Sequence, residues 1–153
     1  MPPAGETEDE RVARNWDEIL QELRVTQTGT QILLGFLLTI PFQAAFADLD
    51  GAQIAVYLTL VVVAALATVL ALSPVALHRA LFRRGAKPQL VRAAHVLLRL
   101  ALAAIALALS GTVFLIFDVV VDHPAAFLAG GATLALTVVM WIVLPTALRG
   151  PPE

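Results

Sequence analysis

Four apolar runs of near membrane-spanning length, preceded by a charged N-terminal segment and separated by short links that together with it carry most of the charge, constrain this chain more than any other feature. About 20 apolar residues wound as an α-helix reach across a ~30 Å hydrocarbon core, with every backbone hydrogen bond closed inside the segment. A soluble fold of this size would need a charged shell. Only 14% of the 153 residues are charged and 59% are hydrophobic, whereas soluble domains carry about 25% charged residues. The expected fold is an all-α polytopic membrane protein with four transmembrane helices and an N-terminal amphipathic helix, and its first partner is the lipid bilayer.

Residues 1–26 form an acidic tail and amphipathic helix. Val12, Trp16, Ile19, Leu20 and Leu23 recur at steps of three and four, one stripe of a helix. Its other faces carry Glu6, Glu8, Asp9, Glu10, Asp17, Glu18 and Glu22 against Arg11, Arg14 and Arg24. Helices that lie on anionic lipid are basic, so this one is expected to dock on protein. No apolar core follows a basic start here, so no cleavage signal is expected. A four-span domain then covers 27–149, with spans at about 27–47, 52–73, 93–121 and 125–146, followed by a tail over 150–153. Pro41 falls inside the first span, where it should kink the helix. The turn signal Asp48-Leu49-Asp50-Gly51 ends that span, and Ser73-Pro74 lies near the end of the second. The third helix starts near Gln89 and runs about 33 residues, or ~50 Å, so its start should protrude from the hydrocarbon. Asp122-His123-Pro124 makes a tight link with a helix-starting proline.

Basic residues collect on cytoplasmic flanks. All 10 lysines and arginines precede span one, surround the link between spans two and three, or follow span four. The opposite side holds Asp48, Asp50, Asp118, Asp122 and His123. Both termini are therefore expected in the cytoplasm. A faint repeat, x-Pro-x-Ala-Leu before a basic group, ends spans two (Pro74) and four (Pro145). Either a parallel duplication or the frequency of proline and arginine at such ends accounts for it.

Three places carry polarity where polarity is expensive. Arg92, His95 and Arg99 share one face of helix three, and Arg99 calls for a partner, with Glu22 or Gln31 the candidates at similar depth. This cluster reads as a proton- or ion-exchanging mouth, or as an electrostatic latch between the acidic helix and the basic linker. Asp118 sits one turn inside the last link within an apolar stretch; it can bind a cation or proton, or accept a hydrogen bond at the interface. Gln43 follows Pro41, which frees the carbonyl of Leu37; carbonyl and amide could coordinate a cation, or the proline is simply a bend. Gln27 joins Gln31 among the polar residues of span one. Small residues at Gly29, Gly35, Gly111, Ala126, Gly130 and Gly131 permit close helix packing.

Cysteine is absent, which excludes disulfides and thiolate sites. No HExxH, GxSxG or phosphate loop occurs, and His78, His95 and His123 are dispersed, so neither an enzyme nor a metal or cofactor site is expected. Nucleic-acid binding is not expected either, since aromatic residues are not interleaved with the basic ones.

The stretch from Asn15-Trp16-Asp17-Glu18 through Glu22-Leu23-Arg24-Val25-Thr26-Gln27-Thr28-Gly29-Thr30-Gln31, continuing Leu34-Gly35-Phe36 to Ile40-Pro41-Phe42, resembles an uncharacterised family of small bacterial four-helix membrane proteins. Some members of that family are labelled sodium/proton antiporters. The resemblance implies four spans in a bacterial inner membrane and a transport role, and it points to Glu22, Arg24, Gln27, Gln31 and Pro41. The function expected is a small cation or proton transporter that acts as a homo-oligomer, because four short helices enclose little room. Its pathway would run between protomers past Gln27, Gln31, Gln43 and the Arg92, His95, Arg99 face, with sodium ion or proton as ligand. The alternative is a non-transporting scaffold or regulatory subunit that uses the charged helix and linker.

Overall fold

The computed structural model describes residues 7–81 and 87–148. Helix α1 spans Glu8–Thr39 and passes into two 3-10 turns, Ile40–Phe42 and Ala44–Asp48; α2 spans Gly51–Leu81, α3 Lys87–Val120 and α4 His123–Val138. A π-helical turn, Val139–Val143, and a last helical turn α5, Leu144–Leu148, complete the chain's described part. Asp17–Phe42, Gly51–Leu77, Val91–Val120 and His123–Leu148 are each long and apolar enough to cross a bilayer. The protein is all-α and polytopic. Gly85, Arg83, Arg84, Arg149 and the tail 150–153 lie outside the described residues, as do the side chains of Val12, Trp16 and Lys87.

The amphipathic helix and the first span are one continuous helix, and the part of it long and apolar enough to cross a bilayer is Asp17–Phe42. Nothing at Arg24-Val25-Thr26 breaks the backbone ladder. A reciprocal cap starts α1: Glu10 Oε2 accepts from the Thr7 backbone N–H and hydroxyl, both at 2.8 Å, and Thr7 Oγ1 accepts from Glu10 N–H at 3.4 Å. Those donated hydrogen bonds, the backbone one foremost, hold the Glu10 carboxyl below its usual range. At the other end Pro41 terminates α1 instead of kinking it. Without an N–H it cannot extend the ladder, and its fixed φ suits the 3-10 turn it occupies. Gln43 is extended between the two turns, with φ −85° and ψ 143°.

Along α2 the residues Tyr57, Leu60, Ala64, Ala67, Ala71 and Pro74 are buried at alternating steps of three and four. That spacing keeps one seam facing inward, and its alanines let neighbouring backbones come close. α2 runs through Pro74 to Leu81, past the expected end. Pro145 behaves differently. It cannot donate to Trp141, and the ladder ahead of it widens into the π turn, where the Thr146 hydroxyl donates to the Ile142 and Val143 carbonyls at 2.8 Å. The two prolines of the sequence repeat thus occupy unlike structures.

The polar residues inside the spans mostly look after themselves. The hydroxyls of Thr28, Thr30, Thr59, Thr68, Thr112 and Thr133 each donate to a carbonyl three or four residues earlier in their own helix. Apolar side chains such as Phe36, Val62, Leu107, Phe127, Leu128 and Ile142 are exposed, as lipid contact requires.

The chain forms two compact units, Met1–Gly35 with Ala64–Ala104 and Phe36–Val63 with Ile105–Glu153. In the first, Ile19 and Leu23 of the amphipathic stripe pack with Ala94 and Leu98 of α3, flanked by Leu20, Val91 and Leu102. In the second, α3 and α4 approach closely at Gly130, where an added Cβ would lie 2.8 Å from Phe114 Cβ and 3.2 Å from the Ser110 carbonyl oxygen.

Candidate functional site

Within the second unit, the links that end α1 and α3 bring several polar side chains together. Asp50 caps α2, its Oδ1 accepting from Ala52 and Gln53 N–H at 2.8 Å each. Gln53 returns the interaction, its Oε1 accepting from Asp50 N–H at 3.1 Å. This fixes the amide so that Gln53 Nε2 donates to Asp118 Oδ2 at 3.0 Å. On the other side Asp122 caps α4, with Oδ1 accepting from Ala125 N–H at 2.8 Å. The next residue, His123, places Nδ1 in ion-pair contact with Asp118 Oδ1.

Asp118 is the centre of this arrangement. Its side chain is only 4% exposed, whereas that of His123 is 68% exposed. The His123 contact lacks hydrogen-bond alignment, and Oδ1 has no hydrogen-bond donor. A carboxylate taken out of water needs a proton, a cation or a full set of donors; here one oxygen is satisfied and the other faces an imidazole. The imidazole is in turn held edge-to-face by Phe114 and Phe127, at ring separations of 6.1 and 5.7 Å. These rings themselves meet at 5.1 Å, so the protein side of the pair is apolar and the histidine opens outward.

The expected coordination site at Gln43 takes another form. Pro41 frees the Leu37 carbonyl, but Tyr57 fills its place, donating its hydroxyl to Leu37 O at 2.9 Å. Tyr57 is 3% exposed and packs edge-to-face on Phe46, while Gln43 is exposed.

In the first unit, Arg92, His95 and Arg99 are exposed, and Arg99 Nε donates to the His95 carbonyl at 3.3 Å. Among the described residues neither Glu22 nor Gln31 pairs with Arg99; both are exposed, and Gln27 is half-buried. Glu22 instead lines an open cleft of about 500 Å³ with Gln21, Val25, Thr26, Leu98 and Leu102.

A family model described as a family of unknown function, DUF6328, matches residues 5–145. The chain belongs to this family. Neither a curated protein nor a solved structure matches it. In this DUF6328 chain, no group of three or more histidine, aspartate or glutamate side chains suited to a metal ion occurs among the described residues.

Sequence reasoning singled out Asp118 and the Leu37 carbonyl and missed their respective partners, Gln53 and Tyr57. Gln53 was detectable: Asp50 followed three residues later by glutamine, ahead of an apolar run, is a capping-box pattern. Tyr57 carried no such signal.

Proposed function

We propose that this protein handles a proton or monovalent cation in the membrane, with Asp118 as the ion-binding group, His123 as its exchanging partner and Gln53 as the residue that orients it. The observation that supports this reading is the near-complete burial of the Asp118 carboxylate, with one oxygen bound by Gln53 and the other lacking a donor against an exposed imidazole. Ionisable groups inside membrane segments commonly mark ion routes, and imidazole exchanges protons near neutral pH. The distribution of basic residues supports an orientation with both termini cytoplasmic and the Asp118 cluster on the opposite face of a bacterial inner membrane. Four helices enclose little volume, so a route across the bilayer requires a homo-oligomer.

The test is proton and sodium flux in proteoliposomes holding the purified full-length chain and a pH-reporting dye. Flux above that of empty vesicles, abolished by Asp118→Asn, is the expected result. Flux unchanged in Asp118→Asn, or none above empty vesicles after verified insertion, overturns the reading.

The second reading is a scaffold. It is favoured by α1, whose Ile19 and Leu23 are buried while Asp17, Gln21 and Glu22 stay exposed beside the Glu18–Arg14 pair, an acidic face available to a basic partner.

A further inference from the structure

We infer that the cleft formed by α1 and α3 in the first unit is a binding site for phosphatidylethanolamine, with Glu22 receiving the headgroup ammonium. This does not rest on the ion-handling reading. The cleft is graded in depth. At ~1.5 Å per residue, Glu22 lies about 7 Å past Asp17, where the first apolar stretch begins, and Val25 about 12 Å. Leu98 and Leu102 lie about 10 and 16 Å past Val91, the start of the third stretch. Gln21 and Glu22 therefore stand nearer the starts of the two stretches than Val25, Thr26, Leu98 and Leu102.

Charge complementarity selects the occupant. The cleft contributes a carboxylate, an amide and a hydroxyl, and no cationic side chain lines it among the described residues. An anionic headgroup would meet Glu22 with like charge. A primary ammonium offers three N–H donors, which the Glu22 carboxylate, the Gln21 amide oxygen and the Thr26 hydroxyl can all accept. A quaternary choline offers none. Val25, Leu98 and Leu102 supply the surface for an acyl chain.

The test is native mass spectrometry of the full-length protein released from mixed micelles with equal amounts of phosphatidylethanolamine, phosphatidylcholine and phosphatidylglycerol. Phosphatidylethanolamine should be retained about tenfold over the other two, the size of one charge-assisted hydrogen bond. Glu22→Gln should bring the three to near parity, and Glu22→Asp should keep the preference. Val25→Trp, which fills the cleft and leaves the carboxylate in place, should lower retention. Both Glu22 and Val25 are exposed, so these variants should fold, as circular dichroism would verify. Equal retention of all three lipids by the unmodified protein, preference for phosphatidylglycerol, or a preference that survives Glu22→Gln overturns the proposal.

Discussion

Tyr57 donates its hydroxyl to the carbonyl oxygen of Leu37, which is the acceptor that Pro41 leaves without its helical N–H. A residue at the start of the second span thereby repairs the end of the first. Removing the hydroxyl in Tyr57→Phe strands a buried carbonyl and should cost about 1–3 kcal/mol. Pro41→Ala restores an N–H at that position, so it should recover part of the loss in the Tyr57→Phe background. Thermal unfolding in detergent checks both; a Tyr57→Phe protein as stable as the parent would count against this repair.

Gln53 ties the cap of α2 to Asp118, and its replacement by leucine removes a donor to a buried carboxylate. The expected destabilisation is about 1–3 kcal/mol. In an Asp118→Leu background the same change should cost much less, because the group left unpaired is gone. A double-mutant cycle by chemical unfolding measures the coupling, and additive effects would show that the hydrogen bond contributes nothing.

Gly130 and Gly131 are neighbours in sequence and opposites in space. An added Cβ at Gly130 would press on Phe114 Cβ and the Ser110 carbonyl, while one at Gly131 meets nothing within 4 Å. Gly130→Val should therefore cost about 1–3 kcal/mol through overpacking. Gly131→Ala should be neutral or stabilising by up to ~1 kcal/mol, the helix-propensity difference. Comparing the two melting temperatures is enough, and equal effects would contradict the close approach of α3 and α4.

The Thr7–Glu10 cap should make the start of α1 sensitive to acid. The Glu10 carboxyl is held below its usual range in the folded state, so its contribution is fully present above the unfolded value. It is lost as pH falls through the lower, folded value. Amide hydrogen exchange at the first turn of α1 should accelerate in that acidic window. Glu10→Gln should abolish this pH dependence, whereas an unaltered profile in that variant would rule out the cap as its source.

Much of this was legible in the residues. Asp118 stood out because it interrupts an apolar run, and the Leu37 carbonyl followed from the position of Pro41 alone. The contacts they make did not stand out, since the capping pattern of Asp50 and Gln53 says nothing of Asp118. Gln53 and Tyr57 are ordinary polar residues near a helix start, 65 and 20 positions away from the groups they bind. The expected pairing of Arg99 with Glu22 or Gln31 fails for a related reason. Similar depth brings charges to one level, but rotation about the helix axis decides whether they meet, and an exposed guanidinium can settle on its own helix, as Arg99 does with the His95 carbonyl.

By itself the sequence determined that the chain is helical, how many apolar helices it has and where the links between them lie. Hydrocarbon admits only segments that satisfy their own backbone, and that requirement is written in composition and length. Which side chains meet was decided by tertiary structure. Hydrogen bonds between helices depend on helix rotation and approach within a few tenths of an ångström, and the apolar positions that set these look alike in sequence whether they face lipid or another helix.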